Sequence, residues 1–212
     1  MKARIFVSTI ITLLFFMISE AQIRIGIQTG LNLGSITHPN GFLSLPNLKL
    51  YNLTGFTLGC IGEFVFTNTI RLQIEPRYIQ KGEKSELTDP TFMAKSTGTF
   101  NYIELPILVK AEFGESNFRP FVLAGPNIGF LLSISSESFI DGQSVGVNNS
   151  KAGYKANDFA LDFGAGMEYR ITSILSLSSS VRYSLGLLNI HIGPDSVKTR
   201  GIQIYIGCLF SV

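Results

Sequence analysis

The sequence predicts an all-β fold, an eight-stranded antiparallel up-and-down transmembrane β-barrel, and three observations lead to it. Apolar and polar residues alternate with a period of two along eight segments. The connections between these segments are alternately short and long. An export signal precedes the first segment. Neighbouring side chains of a strand point to opposite faces, so the alternation gives a sheet with one apolar and one polar face. In hydrocarbon, only a closed sheet leaves no unpaired backbone edge.

Residues 1–21 are interpreted as a secretory signal. Lys2 and Arg4 precede an apolar run over 5–18, and Ser19 and Ala21 are the small residues that a signal peptidase reads. The alternative is a retained anchor, but a run of about 14 residues is shorter than the roughly 20 of a spanning helix. Residues 22–212 then form one outer-membrane barrel domain, because no linker or composition break divides them.

Composition excludes one class of partner and favours another. Removal of the signal takes away two basic residues and one acidic residue, so the formal charge falls from +2 to +1 and offers nothing to attract nucleic acid. The sequence is 45% hydrophobic with a mean hydropathy of +0.30. After the signal, no apolar run approaches the length of a spanning helix. Apolar residues dispersed by alternation are what a membrane barrel requires, with outer-membrane lipid around it.

Eight strands are predicted, most with the 9 to 11 residues that a tilted membrane strand needs or a few more. In the third strand, steps of two from Ile70 separate apolar from polar residues, whereas helical steps of three or four mix them. The sixth alternates most clearly, with Phe159, Leu161 and Phe163 on one parity and Asp162 on the other. The predicted strands are 23–33, 54–66, 70–80, 100–113, 118–134, 159–171, 175–189 and 200–210.

The connections assign the two ends of the barrel. Three are short (67–69, 114–117 and 172–174), three are long (34–53, 81–99 and 135–158), and 190–199 is intermediate. Outer-membrane barrels have short periplasmic turns and longer extracellular loops. An even number of strands puts both termini with the short turns. We therefore expect periplasmic termini and extracellular long loops.

Four prolines fall inside predicted strands, at positions 76, 106, 120 and 126. Proline cannot donate to the strand ladder, so bulges or strand ends are expected at each of them.

The apolar parity is predicted to face lipid. It comprises Ile23, Ile25, Ile27, Leu31, Ile70, Leu72, Ile74, Ile103, Leu105, Ile107, Val109, Leu177, Val181, Leu185, Ile202, Ile204 and Ile206. Aromatic residues near the strand ends would form the girdles at the two membrane interfaces. These are Phe64, Phe66, Tyr78, Phe113, Tyr169, Tyr183 and Phe210.

The opposite parity carries charges of both signs interleaved with glycines. The predicted lumen charge network is Arg24, Glu63, Arg71, Glu75, Arg77, Glu104, Lys110, Glu112, Asp162, Glu168, Arg170 and Arg182. Eight strands enclose only enough room for side chains, which predicts a plugged lumen in which the charges pair with one another. The alternative is a narrow ion path or a proton-linked site, because perturbed carboxylates cluster at functional sites.

Catalytic, cofactor and metal sites are not predicted. His38 and His191 both fall in long or intermediate connections, and Ser35, Thr37 and Ser44 lie near His38, but no G-x-S-x-G nucleophile motif occurs. No spacing of histidine, cysteine and carboxylate residues matches a metal ligand set. Cys60 and Cys208 are predicted on lipid-facing positions of strands that one further strand separates. Roughly 10 Å between such strands exceeds the reach of a disulfide.

Six stretches give the sequence its resemblance to a known family, the Bacteroidota outer-membrane β-barrel proteins often called PorT-like. They are 26–33 (GIQTGLNL), 72–82 (LQIEPRYIQKG), 102–110 (YIELPILVK), 124–132 (AGPNIGFLL), 162–169 (DFGAGMEY) and 181–189 (VRYSLGLLN). The resemblance implies insertion by the barrel-insertion machinery and, through members linked to secretion, partners among secretion or other envelope proteins. It implies no catalytic residue. The end Phe210-Ser-Val212 departs from the aromatic final residue of many outer-membrane barrels.

The sequence therefore predicts a non-enzymatic outer-membrane barrel that acts through its extracellular loops or through envelope partners. Two alternatives remain open. One is a soluble lipocalin-like barrel that carries a small apolar ligand and would place its apolar parity inside. The other is an outer-membrane lipid hydrolase that uses His38 or His191.

Overall fold

The computed structural model describes residues 22–37, 47–193 and 196–212, which form one antiparallel sheet closed into a ring. The predicted signal, His38 and Ser44 lie outside the described residues. The strands are β1 (Gln22–Thr37), β2 (Leu48–Val65), β3 (Ile70–Ile74), β4 (Arg77–Thr88), β5 (Met93–Glu112), β6 (Phe118–Ile140), β7 (Gln143–Asn148), β8 (Asn157–Arg170), β9 (Leu175–Gly186) and β10 (Lys198–Ser211).

Nine of these ten segments occupy eight positions in the ring, which confirms the predicted eight-stranded barrel. Strands β3 and β4 share one position, because both pair with β2 on one side and with β5 on the other. Strand β7 pairs with the outer part of β6 and forms a hairpin that projects from the barrel. The order around the ring is β1, β2, β3 with β4, β5, β6, β8, β9 and β10. No helix in the described part of the chain is long and apolar enough to cross a membrane.

The ring closes between the first and last strands. Strand β1 pairs with β10 in an unbroken register from Arg24↔Ser211 to Thr37↔Lys198. Gly30 lies on the inner face of this seam, where a β-carbon would overlap the carbonyl oxygen of Ile204. A residue without a side chain is therefore required there for the two strands to approach.

The two ends of the barrel differ, as the connection lengths predict. We call the end with connections 66–69, 113–117 and 171–174 the turn end. The described residues begin at this end with Gln22 and finish there with Val212, since the Val212 amide donates to the Ile23 carbonyl. The other end, the hairpin end, carries strands that continue well beyond the predicted limits.

Two of the predicted long loops are largely β structure. Within 81–99, β4 runs on to Thr88 and pairs with β5 down to Thr88↔Met93. Within 135–158, β6 runs on to Ile140 and pairs with β7. These extensions contain few apolar residues, so the alternation that marks a strand with one apolar face is weak there. Backbone pairing forms them nonetheless.

The prolines affect the strands less than expected. Pro76 does separate β3 from β4. Opposite Pro126, the ladder between β5 and β6 is interrupted for two residues without a change of register. The expectation of a bulge or strand end is wrong at Pro106, Pro120 and Pro126, where β5 and β6 continue. The register shift in this strand pair lies instead between Asn101 and Tyr102.

The apolar parity faces outward, which confirms that part of the prediction. Ile27 is 59% exposed and Ile206 is 62% exposed, while Arg24 and Gln28 beside them are buried. Cys60 and Cys208 are both free, and each is in register with Ile27 from opposite sides of β1. Their separation by a full strand explains why they do not bond.

Candidate functional site

The polar interior of the barrel is the most distinctive chemical feature of the structure. Eleven of the twelve charged residues predicted for the lumen are buried on its inner face: Arg24, Glu63, Arg71, Glu75, Arg77, Glu104, Lys110, Glu112, Asp162, Glu168 and Arg182. The twelfth, Arg170, lies half-buried at the turn end. Two further charged residues, Lys81 and Asp158, are buried among them.

The sequence predicts Lys81 and Asp158 at the ends of two long loops, 81–99 and 135–158. Each continues the inward parity of the adjacent strand, Lys81 after Arg77 and Ile79, and Asp158 before Ala160. Extending the alternation of each strand by one or two residues would therefore have predicted Lys81 and Asp158 on the inner face. The interior also contains uncharged polar residues that a search for charges does not reveal.

A turn-end network joins four cations to three carboxylates: Arg24, Arg71, Lys110 and Arg119 with Glu63, Glu112 and Glu168. Its centre is a closed ring of contacts from β1, β2, β5 and β8. Arg24 donates to Glu63 at 2.7 Å and to Glu168 at 2.6 Å. Lys110 Nζ lies 3.0 Å from Glu63 Oε2 and 2.8 Å from Glu168 Oε2. These pairs link opposite sides of the barrel.

The outer part of this network is centred on Glu112. Arg71 Nη2 donates to Glu112 Oε1 at 2.8 Å, while Nη1 donates to Glu63 Oε1 at 3.1 Å and lies 2.7 Å from Glu112 Oε2 as an ion pair. Arg119 Nη1 lies 3.1 Å from Glu112 Oε1 at the rim. With four cations and three carboxylates, the turn-end network has a formal charge of +1.

A hairpin-end network joins three cations to four carboxylates: Arg77, Lys81 and Arg182 with Glu75, Glu104, Asp158 and Asp162. Arg77 Nη2 lies 2.7 Å from both Glu104 Oε2 and Asp162 Oδ2. Lys81 Nζ lies 2.6 Å from Glu104 Oε1 and 3.3 Å from Asp158 Oδ2. The formal charge of this network is −1, which balances the turn-end network.

Uncharged groups complete the hairpin-end network. Gln28 donates to Glu75 at 2.7 Å, Asn127 donates to Glu104 at 2.8 Å, and Thr199 donates to Asp158 at 2.8 Å. The Tyr205 ring lies 4.5 Å from the Arg182 guanidinium carbon, within cation–π distance. Buried charges in the interior are thus held by several partners each, which offsets the free energy of removing them from water.

Above the hairpin-end network lies an apolar layer. Its buried members are Ile79, Phe100, Tyr102, Leu131, Ile134 and Ile190. A cavity of about 520 Å³ opens above it, lined in part by Phe100, Tyr154 and His191. Tyr154 packs edge-on against Phe100, with ring centroids 5.0 Å apart. Burial, and then the nearby Glu83 carboxylate, raise the pKa of Tyr154.

His191, one of the two histidines weighed for catalysis, lies at this cavity. Its Nδ1 accepts a hydrogen bond from the Gly193 amide at 3.1 Å, and its ring contacts Tyr154. Of the serine and threonine residues noted near His38, Thr37 donates its hydroxyl to the Lys198 carbonyl. No group of three or more His, Cys, Asp or Glu side chains within 22–37, 47–193 and 196–212 could hold a metal ion.

The burial pattern is the reverse of a soluble ligand-carrying barrel. A lipocalin-like protein would enclose its apolar side chains and leave its charges in water. Here Glu63, Arg77 and Glu104 are fully buried, while Ile25 and Val181 are exposed on the outside. The lipocalin-like alternative is therefore wrong.

Comparison with known proteins agrees with this architecture. A family model described as an outer membrane protein β-barrel domain matches residues 19–191. No curated protein matches the sequence. The solved outer membrane protein OprG of Pseudomonas aeruginosa is 11% identical, with a TM-score of 0.54 over 91% of this chain and 97% of that chain.

Two further solved structures are similar. Escherichia coli outer membrane protein W is 16% identical, with a TM-score of 0.46 over 91% of this chain and 100% of that chain. The outer membrane enzyme PagL is 14% identical, with a TM-score of 0.37 over 87% of this chain and 97% of that chain. At such low identities, the likeness to OprG concerns the fold alone.

Proposed function

Because this chain belongs to the family of outer membrane protein β-barrel domains, we propose that it is a non-enzymatic integral barrel of the outer membrane with a plugged lumen. Its work is done by the hairpin end, or by association with other envelope proteins. The observation that carries the proposal is the pair of buried ion-pair networks, which connect strands on opposite sides of the barrel.

Opening a water path through this interior would separate buried pairs. Arg77 and Lys110 are fully buried, and each contacts carboxylates from several strands. Removing one partner from such a pair costs about 3–5 kcal/mol, because the other charge is left buried and unpaired. The networks therefore favour a rigid, closed interior over a hydrated channel.

Conductance in a planar bilayer tests the closed lumen. Barrels whose insertion is verified by heat-modifiable migration should show no conductance steps, while a porin in the same membrane gives them. Regular steps from the wild-type protein would contradict the plugged lumen and favour the ion-path alternative.

We further propose that residues 1–21 are removed on export, that the turn end faces the periplasm, and that the hairpin end faces outward. Short turns on one side and long hairpins on the other support this orientation. A protease site inserted at 89–92, between β4 and β5, should be cut on intact cells. The same site inserted at 113–117, between β5 and β6, should be cut only after the outer membrane is opened. The reverse pattern would contradict the orientation.

A narrower affiliation, to the PorT-like barrels of the Bacteroidota, is also proposed. It is supported by the six resembling stretches, which fall on β1, on β3 with β4, and on β5, β6, β8 and β9. The affiliation points to secretion proteins among the partners and to the barrel-insertion machinery. Loss of the protein should then change the set of secreted proteins, and re-expression should restore it. An unchanged set would remove the secretion link.

The lipid hydrolase is the competing proposal, and the environment of His191 speaks against it. A catalytic histidine needs one ring nitrogen free for the nucleophile and the other held by an orienting group such as a carboxylate. His191 Nδ1 is held by a backbone amide as an acceptor. Purified protein should release no fatty acid from lipid vesicles. Release that is lost in His38→Ala or His191→Ala would establish the enzyme instead.

A further inference from the structure

The turn end of the barrel contains a second cavity, separate from the cavity at the hairpin end. Its volume is about 560 Å³ and most of its wall is polar. Four arginines line it, Arg24, Arg71, Arg119 and Arg170, from strands β1, β3, β6 and β8. Three of them, Arg24, Arg71 and Arg170, belong to the lumen charge network that the sequence predicts, and the sequence predicts no ligand for any of the four.

The formal charge of this cavity is positive. The turn-end network beneath it already carries +1, with Arg119 as its outermost member. Arg170 adds a second positive charge, and no carboxylate of the described residues lies within ion-pair distance of it. Two carboxylates also line the wall: Glu112, which is already counted in the turn-end network, and Glu115, which is exposed to solvent. An unpaired guanidinium that is half-buried in a concave wall attracts an anion strongly.

The cavity also offers hydrogen-bond donors that are not in use. Arg71 is buried, its terminal nitrogens donate to Glu63 and Glu112, and its Nε has no hydrogen-bond partner among the described residues. The hydroxyls of Ser173 and Ser176 are part of the same wall, and Ser176 is buried. This Nε is shielded from the cavity, so the donors open to a ligand are the Arg170 guanidinium and the two serine hydroxyls.

We propose that this cavity binds an oxyanion, a carboxylate or a phosphate group, with Arg170 as its principal ligand. A guanidinium presents parallel N–H groups that match two oxygens of either anion. Hydroxyl donors from β9 and its preceding turn contribute further contacts. Anion binding in this cavity does not depend on which side of the membrane the turn end faces.

The experiment observes the arginine side chains directly. The protein, labelled with 15N-arginine, is studied by NMR in neutral maltoside micelles, so that the detergent provides no anion. Inorganic phosphate and acetate are titrated separately at constant ionic strength, with each replacing chloride. The Nε–Hε signal of Arg170 should shift and saturate, while that of Arg200, exposed at the hairpin end, should not move. The two titrations show whether the cavity prefers phosphate or carboxylate.

Arg170→Gln and Arg200→Gln remove the same charge from opposite ends and serve as a matched pair. Arg170→Gln should weaken binding of the preferred anion at least about tenfold, because a charge-assisted contact is lost. Arg200→Gln should leave binding unchanged. Arg170→Lys, which keeps the charge but not the two-point geometry, should give intermediate binding.

Two results would overturn the proposal. One is wild-type signals that do not saturate with either anion, or that move equally at Arg170 and Arg200. The other is equal binding by Arg170→Gln and wild type, both shown to be folded by heat-modifiable migration. If Arg170→Gln does not fold, the wild-type titration and Arg170→Lys decide the question alone.

Discussion

Arg24 on β1 and Glu168 on β8 are separated by two strands of the barrel wall, yet Arg24 Nη2 lies 2.6 Å from Glu168 Oε1. The contact crosses the lumen. Lys110 reaches the same carboxylate from β5 at 2.8 Å. Three strands that do not pair with one another are thus held together by side chains alone, so the interior contributes to the stability of the ring in addition to the backbone ladder.

Neutralising Glu168 should therefore destabilise the barrel strongly. Glu168→Gln leaves Arg24 and Lys110 buried with fewer counter-charges, and we expect a loss of about 3–5 kcal/mol in the free energy of unfolding. Urea unfolding in lipid vesicles, followed by gel migration, measures it. Glu86→Gln is the control, since its 3.5 Å pair with Lys95 is in an exposed hairpin. That change should cost less than about 1 kcal/mol. Equal effects of the two variants would show that the interior pairs contribute little.

Among the buried carboxylates, Asp158 should be the one whose neutralisation destabilises the barrel least. The hairpin-end network has four carboxylates for three cations, and Asp158→Asn gives it formal neutrality while preserving an acceptor for Thr199. We expect its effect on unfolding to be at least about 1–2 kcal/mol smaller than that of Glu168→Gln, because no cation is left without a carboxylate. The same urea titration measures the free energies of unfolding of the two variants. A loss as large as that of Glu168→Gln would contradict the charge count.

A charge on the outer face should be tolerated only away from the membrane. Ile204 lies in the middle of β10 opposite Leu31 and is 45% exposed. Ile204→Arg should cost about 2–4 kcal/mol in a lipid bilayer, the range for arginine near the midplane. Val147, 59% exposed on β7 in the projecting hairpin, is the control. Val147→Arg should change stability by no more than about 0.5 kcal/mol. If Val147→Arg lost more stability than Ile204→Arg, the hairpin and not the middle of β10 would lie in hydrocarbon.

The seam between β1 and β10 should not accept a side chain at Gly30. An added methyl group would overlap the Ile204 carbonyl, so Gly30→Ala should reduce the fraction of protein that folds to the heat-modifiable form. At Gly62 on β2 the nearest atom to an added β-carbon is the Ile74 carbonyl oxygen, 3.8 Å away. Gly62→Ala should fold like the wild type. If Gly30→Ala folded in full yield, the seam would have room for a β-carbon at position 30, which contradicts the close approach of the Ile204 carbonyl.

The sequence predicted the strands inside the membrane well because a single physical constraint acts on each of their residues. Hydrocarbon on one side and a polar interior on the other impose alternation, and residues such as Ile27 and Arg24 follow it. The constraint ends where strands leave the membrane. There both faces meet water, so β4 beyond Lys81 and the β6–β7 hairpin carry no such pattern, and the sequence predicts loops in both places.

Partners inside the lumen could not be predicted from alternation. Parity places Glu168 and Arg24 on the inner face, but their contact depends on the stagger of strands around the ring. Whether a proline interrupts its strand also depends on the strands that pair with it. Pro106 lies within β5 without breaking it, whereas Pro76 separates two strands that both keep β2 and β5 as partners.

Spin-label accessibility along β10 tests the central claim most directly. Labels would be placed singly at positions 202–206 of the protein in lipid vesicles, with Cys60 and Cys208 replaced by serine. Collisions with oxygen, which concentrates in hydrocarbon, should be frequent at Ile202, Ile204 and Ile206 and rare at Gln203 and Tyr205. Collisions with a water-soluble nickel chelate should be rare at all five positions. Nickel collisions at the isoleucine positions, or loss of the two-residue period, would contradict an apolar surface in lipid around a charged interior.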